Sequence, residues 1–89
     1  MRAGITVLGK DRVGILAKVA TKCAEYDVIV VEVTQSVLQD VFAMIMMVEI
    51  SKSKVPFDEL VVSLKAMGDE MGMKVHVMHE DIFNSMHRI

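Results

Sequence analysis

Ile5 and Val7 alternate with Thr6 and Leu8 in AGITVLG, from Ala3 to Gly9, a period of two that ends at a glycine and predicts a first strand. Between Asp11 and Tyr26 the period lengthens. Ile15, Leu16, Val19, Cys23 and Tyr26 recur at three- and four-residue intervals with Lys18, Lys22 and Glu25 opposite them, which predicts an amphipathic helix with Asp11 as its N-cap. Val28 to Leu38 is rich in β-branched residues, Val41 to Ile50 is apolar at both alternations, and Gln39-Asp40 separates them, so the two runs read as a hairpin. Pro56 suits a first helical residue, and Phe57, Leu60, Val61, Leu64, Met67 and Met71 form a second helical stripe that Gly72 stops. Met73, Val75 and Val77 then alternate with Lys74, His76 and Met78 as a last strand. Ile82, Met86 and Ile89 fall on one side of a short helical tail.

The order β-α-β-β-α-β, with right-handed crossovers, predicts an α+β, ferredoxin-like sandwich: a four-stranded antiparallel sheet carrying both helices on one face. Residues 1–80 would form the domain and residues 81–89 the helical tail. The third strand sharpens this picture. It offers Phe42, Met44, Met46 and Val48 to one face and Val41, Ala43, Ile45 and Met47 to the other, whereas a solvated sheet face alternates apolar with polar residues. The face without helices is therefore expected to be covered by a second copy of the chain, by the tail, or by both.

Composition supports an apolar partner surface and excludes several classes. Hydrophobic residues make up 53% of 89 residues, more than so small a globule hides in its own interior. Ten Lys and Arg against 12 Asp and Glu give a net charge of −2 without a basic face, so no nucleic-acid footprint is expected. Met1 leads straight into strand-like sequence and no apolar run reaches membrane-spanning length, so a cytoplasmic, membrane-free location is expected. The single cysteine, Cys23, continues a helical apolar stripe and reads as core filler. His76 and His79 sit three apart in a strand, which directs them to opposite faces, and His87 lies in the tail, so neither a metal nor another cofactor is expected. The nine methionines read as core plus subunit interface.

Candidate chemistry concentrates in the turn Gly9-Lys10-Asp11-Arg12-Val13-Gly14-Ile15. A helix start has unpaired N–H groups and a positive dipole that favour a carboxylate. Asp11 can accept from a ligand ammonium, and Arg12 or Lys10 can meet a ligand carboxylate. The structural reading stands beside it: Asp11 as a cap, Gly9 as a turn, Gly14 as tight helix–sheet packing, and Lys10 and Arg12 as solvated charges.

The segment GKDRVGIL resembles the pattern of the ACT family of amino-acid-sensing domains, in which Asp-Arg-Pro-Gly precedes an aliphatic residue, with Val13 here in the proline's place. AEYDV at the helix exit, TQSVL in the hairpin and the closing apolar strand extend the resemblance over nearly the whole chain, which looks most like small stand-alone bacterial ACT domains. That resemblance implies a non-catalytic regulatory module, acting as a homodimer that binds an amino acid between two copies and signals to a separate protein. Gly9, Lys10, Asp11, Arg12, Val13, Gly14 and Ile15 would line the site with Ile29 from the start of the second strand, where many members carry asparagine.

Two other classes compete. An assembly or adaptor protein would use the two-faced third strand and leave the glycine turn without a ligand. An acylphosphatase-like enzyme would share the element order and use Arg12, but it also needs a placed asparagine, and the only one, Asn84, lies in the tail.

Overall fold

The computed structural model describes residues 1–10 and 14–82 and follows the element order expected from the sequence. β1 (Arg2–Lys10) leads to α1 (Ile15–Glu25), β2 (Ile29–Leu38), β3 (Val41–Glu49), α2 (Phe57–Glu70) and β4 (Lys74–His79). The four strands form one antiparallel sheet in the order β2-β3-β1-β4, so β2 and β4 are its edges.

Alternation along β1 and β3 decides which face the helices cover. Ala3, Ile5 and Val7 of β1 and Phe42, Met44, Met46 and Val48 of β3 are buried on one face, against Ile15, Val19 and Cys23 of α1 and Leu60 and Leu64 of α2. Burying a side chain of this size contributes about 1.5–3 kcal/mol, so this single layer between sheet and helices dominates the stability of the domain. The other parity of β3, Val41, Ala43, Ile45 and Met47, lies on the opposite face, which no described element covers. The methionines divide accordingly: Met44 and Met46 are core, and Met47 faces outward.

Helix ends follow local chemistry with small departures from expectation. α2 stops at Met71, with Gly72 at φ 70 supplying the left-handed residue. Pro56 is the extended N-cap of α2, one position before the helical residue it was expected to be, and Asp58 and Glu59 offset the dipole in the first turn. α1 ends at Tyr26, whose hydroxyl lies 2.7 Å from that of Ser63 on α2 and so ties the two helices together. Asp27 takes φ 58 to turn the chain into β2. Residues 80–82 have helical backbone, and the rest of the expected tail, with Asn84, Met86, His87 and Ile89, lies outside the described residues.

Candidate functional site

At the β1–α1 turn the structure revises three readings. α1 begins at Ile15 with Gly14 as its N-cap, so Asp11 is not the cap: the helix starts further along than the apolar spacing alone required. Gly14 is not a packing glycine either, because no described residue lies within 4 Å of where a Cβ would stand; its φ of 84 and ψ of 6 are what demand glycine. Gly9 is not a turn residue. It lies within β1, paired with Phe42, and its missing side chain makes room for the thioether of Met73.

Ile15 also departs from the expected site, since its side chain is only 3% exposed and belongs to the core. What Ile15 offers a ligand is its backbone N–H at the helix start. Lys10 ends β1 with an exposed side chain. Asp11, Arg12 and Val13 lie outside the described residues.

Among the described residues, the start of α1 is electrostatically open. No described side chain caps Gly14, and no acidic residue occupies the first turn of α1, in contrast with Asp58 and Glu59 on α2. The first helical bond runs from the Lys18 N–H to the Gly14 carbonyl at 3.0 Å, which leaves the N–H groups before it without intrahelical partners. An anion at this point would meet the positive end of a dipole that no described side chain offsets.

Ile29 lies elsewhere. Register pairs Ile29 with Glu49 and Glu49 with Arg2, at one end of the sheet, whereas Lys10 pairs with Val41 and Val41 with Leu38 at the other. From Glu49 to Val41 along β3 is eight residue steps, or about 27 Å of strand. Within one copy, the turn and the start of β2 therefore do not converge.

Around Ile29 the structure gathers residues that the sequence did not single out. Ala24, Asp27, Val28, Ile29 and Lys52 line a shallow depression of about 390 Å³. Ile29 is 52% exposed at its rim. Asp27 and Lys52 supply one carboxylate and one ammonium, the charge pattern a zwitterion complements. Asp27 also meets Lys54 at 3.7 Å, an exposed pair of the kind that contributes about 0–1 kcal/mol and yields readily to another cation. The left-handed Asp27 signals a chain reversal, but Lys52 is 25 residues further on, and no local pattern links the two.

Cys23 is fully buried, and burial pushes its thiol up to about 11, which keeps it protonated and unreactive at neutral pH. His76 pairs with Thr6 and His79 with Ala3, so the two histidines fall on opposite sheet faces. Among the described residues no three His, Cys, Asp or Glu side chains converge as metal ligands, and no helix is long and apolar enough to cross a membrane.

Comparison with known proteins matches residues 4–78 to the ACT domain family. A UPF0237 protein of Listeria innocua is 44% identical over 89 residues, 100% of both chains. Among solved structures, an ACT domain protein from Streptococcus pneumoniae superposes with a TM-score of 0.81 at 36% identity, covering 93% of each chain. The regulatory subunit of aspartate kinase from Thermus thermophilus superposes with a TM-score of 0.64 at 27% identity, covering 85% of this chain and 49% of that one.

Proposed function

The chain belongs to the ACT domain family, a family of regulatory modules, and from that premise we propose that it is a non-catalytic sensor in which two copies bind one amino acid between them. The observation that carries this reading is the separation of the two half-sites: about 27 Å of strand lies between the turn at Gly14 and the start of β2, so a ligand touching both needs two copies.

Edge strand β2 supplies a means of bringing them together. Ile29, Val31 and Val37 are exposed apolar residues along it, and its outer backbone edge has no strand partner among the described residues. Antiparallel apposition of two β2 edges about a two-fold axis sets Ile29 of one copy at the end of the other that carries Lys10 and Gly14. The ligand carboxylate then takes the open N–H groups at the start of α1, with Arg12 or Lys10 beside it. Its ammonium takes Asp27, or Asp11 from the turn. Ile29, which stands where many members of the family carry asparagine, makes the pocket more apolar and favours an amino acid with an aliphatic side chain. The signal passes to a separate protein through the difference in ligand affinity between two arrangements of the pair.

Thermal unfolding against a panel of amino acids tests this. A ligand at 100 times its dissociation constant adds about 2.7 kcal/mol, which raises the melting temperature of a domain this size by several degrees. Arg12→Ala and Asp27→Ala are expected to remove that shift while leaving the ligand-free melting temperature within a few degrees. A flat panel with an intact oligomer sinks the sensor reading in favour of an assembly role.

A further inference from the structure

We propose that residues 82–89 dock as an amphipathic helix across the start of α2 in their own chain, with the Met86 side chain seated in an apolar hollow between β3, α2 and the loop that joins them. The proposal does not rest on the amino-acid site.

Met1, Ile50, Val55, Pro56, Phe57 and Leu60 wall the hollow, which has a volume of about 270 Å³. Its floor is core, since Leu60 is fully buried and Ile50 nearly so. The two hydroxyls in its wall are already engaged. Ser53 donates to the Val55 carbonyl at 2.8 Å and accepts from the Val55 N–H at 3.2 Å, and Ser51 donates to Glu49 at 3.1 Å. An apolar side chain therefore suits the space better than a polar ligand, which would find its partners taken. A cavity of about 150 Å³ admits benzene, so this one has room for a methionine, whose flexible thioether fills irregular gaps.

The tail starts beside the hollow. β4 runs toward this end of the sheet, and its last residue, His79, pairs with Ala3, two positions from Met1. Residues 80–82 are already helical, and Glu80 meets Arg2 of β1 at 3.9 Å, which directs the root of the tail across the sheet end. At 100° per residue, Ile82, Phe83, Met86 and Ile89 fall within an arc of about 120°, and Glu80, Asp81, Asn84, Ser85, His87 and Arg88 fill the remainder. An apolar stripe of that width needs a surface to bury against.

Length and charge select the hollow as that surface. β1 alone separates β4 from β3, so the two lie about 10 Å apart across the sheet. Seven residues of helix, from His79 to Met86, also rise about 10 Å. Met86 is thereby carried to the hollow, while Phe83 stops short of it over β1. His87 and Arg88 then stand over the first turn of α2, where Asp58 and Glu59 are exposed, so the basic stretch of the tail meets an acidic one. The loop braced in this way is the one whose Lys54 N–H donates to the Tyr26 carbonyl at 2.8 Å, at the end of α1.

Nuclear Overhauser spectra of the methyl-labelled full chain test the proposal. The Met86 ε-methyl group is expected to contact the Val55 methyl groups, and in a mixture of differently labelled chains that contact is expected to stay within one chain. Oxidised glutathione acting on a Val55→Cys/Met86→Cys variant gives a chemical readout. The expected product has monomer mass on a non-reducing gel, keeps only the buried Cys23 as a free thiol, and melts several degrees higher than its reduced form. A Val62→Cys/Met86→Cys variant, with the first thiol at an exposed position of α2 outside the hollow, is expected to stay reduced. A Met86 methyl group without contact to Val55, a contact or disulfide formed only between chains, or equal cross-linking at Val62 would overturn the proposal.

Discussion

Replacing Gly14 with alanine separates a conformational requirement from a packing one. Gly14 has φ 84 and ψ 6, and no described residue lies within 4 Å of the position of an added Cβ. A methyl group there meets no described neighbour, so the effect is expected to come from the backbone. Holding an L-residue in the left-handed region costs about 1–2 kcal/mol, and the narrower unfolded ensemble of alanine returns about 0.4–1 kcal/mol of it. The expected net loss is about 1 kcal/mol, which lowers the melting temperature of a 60–100-residue domain by about 4–8 °C. Asparagine visits the left-handed region through local hydrogen bonds, so Gly14→Asn should lose less than Gly14→Ala. Urea unfolding of the three proteins, with equal dependence on denaturant, gives the ranking Gly, Asn, Ala. Alanine equal to glycine would refute the argument. So would asparagine falling below alanine, because that order follows side-chain size and would mean the turn is closely packed.

Gly68 and Gly9 make a matched contrast. A Cβ on Gly68 meets Val75, a stiff, buried β-branched residue of β4, and the Met73 carbonyl at 3.1 Å, so Gly68→Ala should lose about 1–2 kcal/mol despite alanine's better helix propensity. Gly9→Ala meets the flexible end of Met73 and should lose less than about 1 kcal/mol; equal losses in the two denaturation curves would contradict this. The Cys23 thiol is raised from 9.0 to about 11 by burial, so the folded state retains its proton where the unfolded state releases it. That stability is fully present below pH 9.0 and is lost as pH rises through about 11, by about 2 kcal/mol between pH 8 and 10.5. Denaturant unfolding of wild type and Cys23→Ala at both values checks it, the wild type alone showing this additional loss; parallel losses would remove the thiol as the cause.

Element order, both helical stripes and the two-faced character of β3 were legible in the sequence because each rests on a local period: two for strands, three to four for helices. The same parity separates Met46 from Met47, although a list of methionines does not. What was illegible depends on register or on distant contacts. Gly9 looks like a strand terminator until β4's approach brings Met73 against it from 64 residues away. Asp11 looks like a cap because Asp before an apolar stripe usually is one, but the chain first passes through a left-handed residue at Gly14. The candidate site shows the sharpest limit. The turn and Ile29 are both readable as a family pattern, yet only the pairing of Ile29 with Glu49 and of Lys10 with Val41 places them at opposite ends of the sheet. The juxtaposition of Asp27 with Lys52 likewise comes from the β3–α2 loop folding back on the end of α1.

The proposed division of the site between copies has a thermodynamic consequence of the kind a regulatory module uses. If the half-site at Gly14 and the half-site at Ile29 each hold part of the ligand, as proposed, binding and association are one linked equilibrium. Whatever factor the second copy adds to ligand affinity, the ligand must add to the affinity of the copies for each other. Ligand titrations at two protein concentrations should therefore give a lower apparent dissociation constant at the higher one, by up to the factor by which the paired fraction rises. A site contained within one copy would instead bind equally at both concentrations, since nothing about the Gly14 turn alone changes with the number of chains present. Concentration dependence thus reads out the geometry that the register implies, and its absence would require the amino acid to sit at one end of the sheet only.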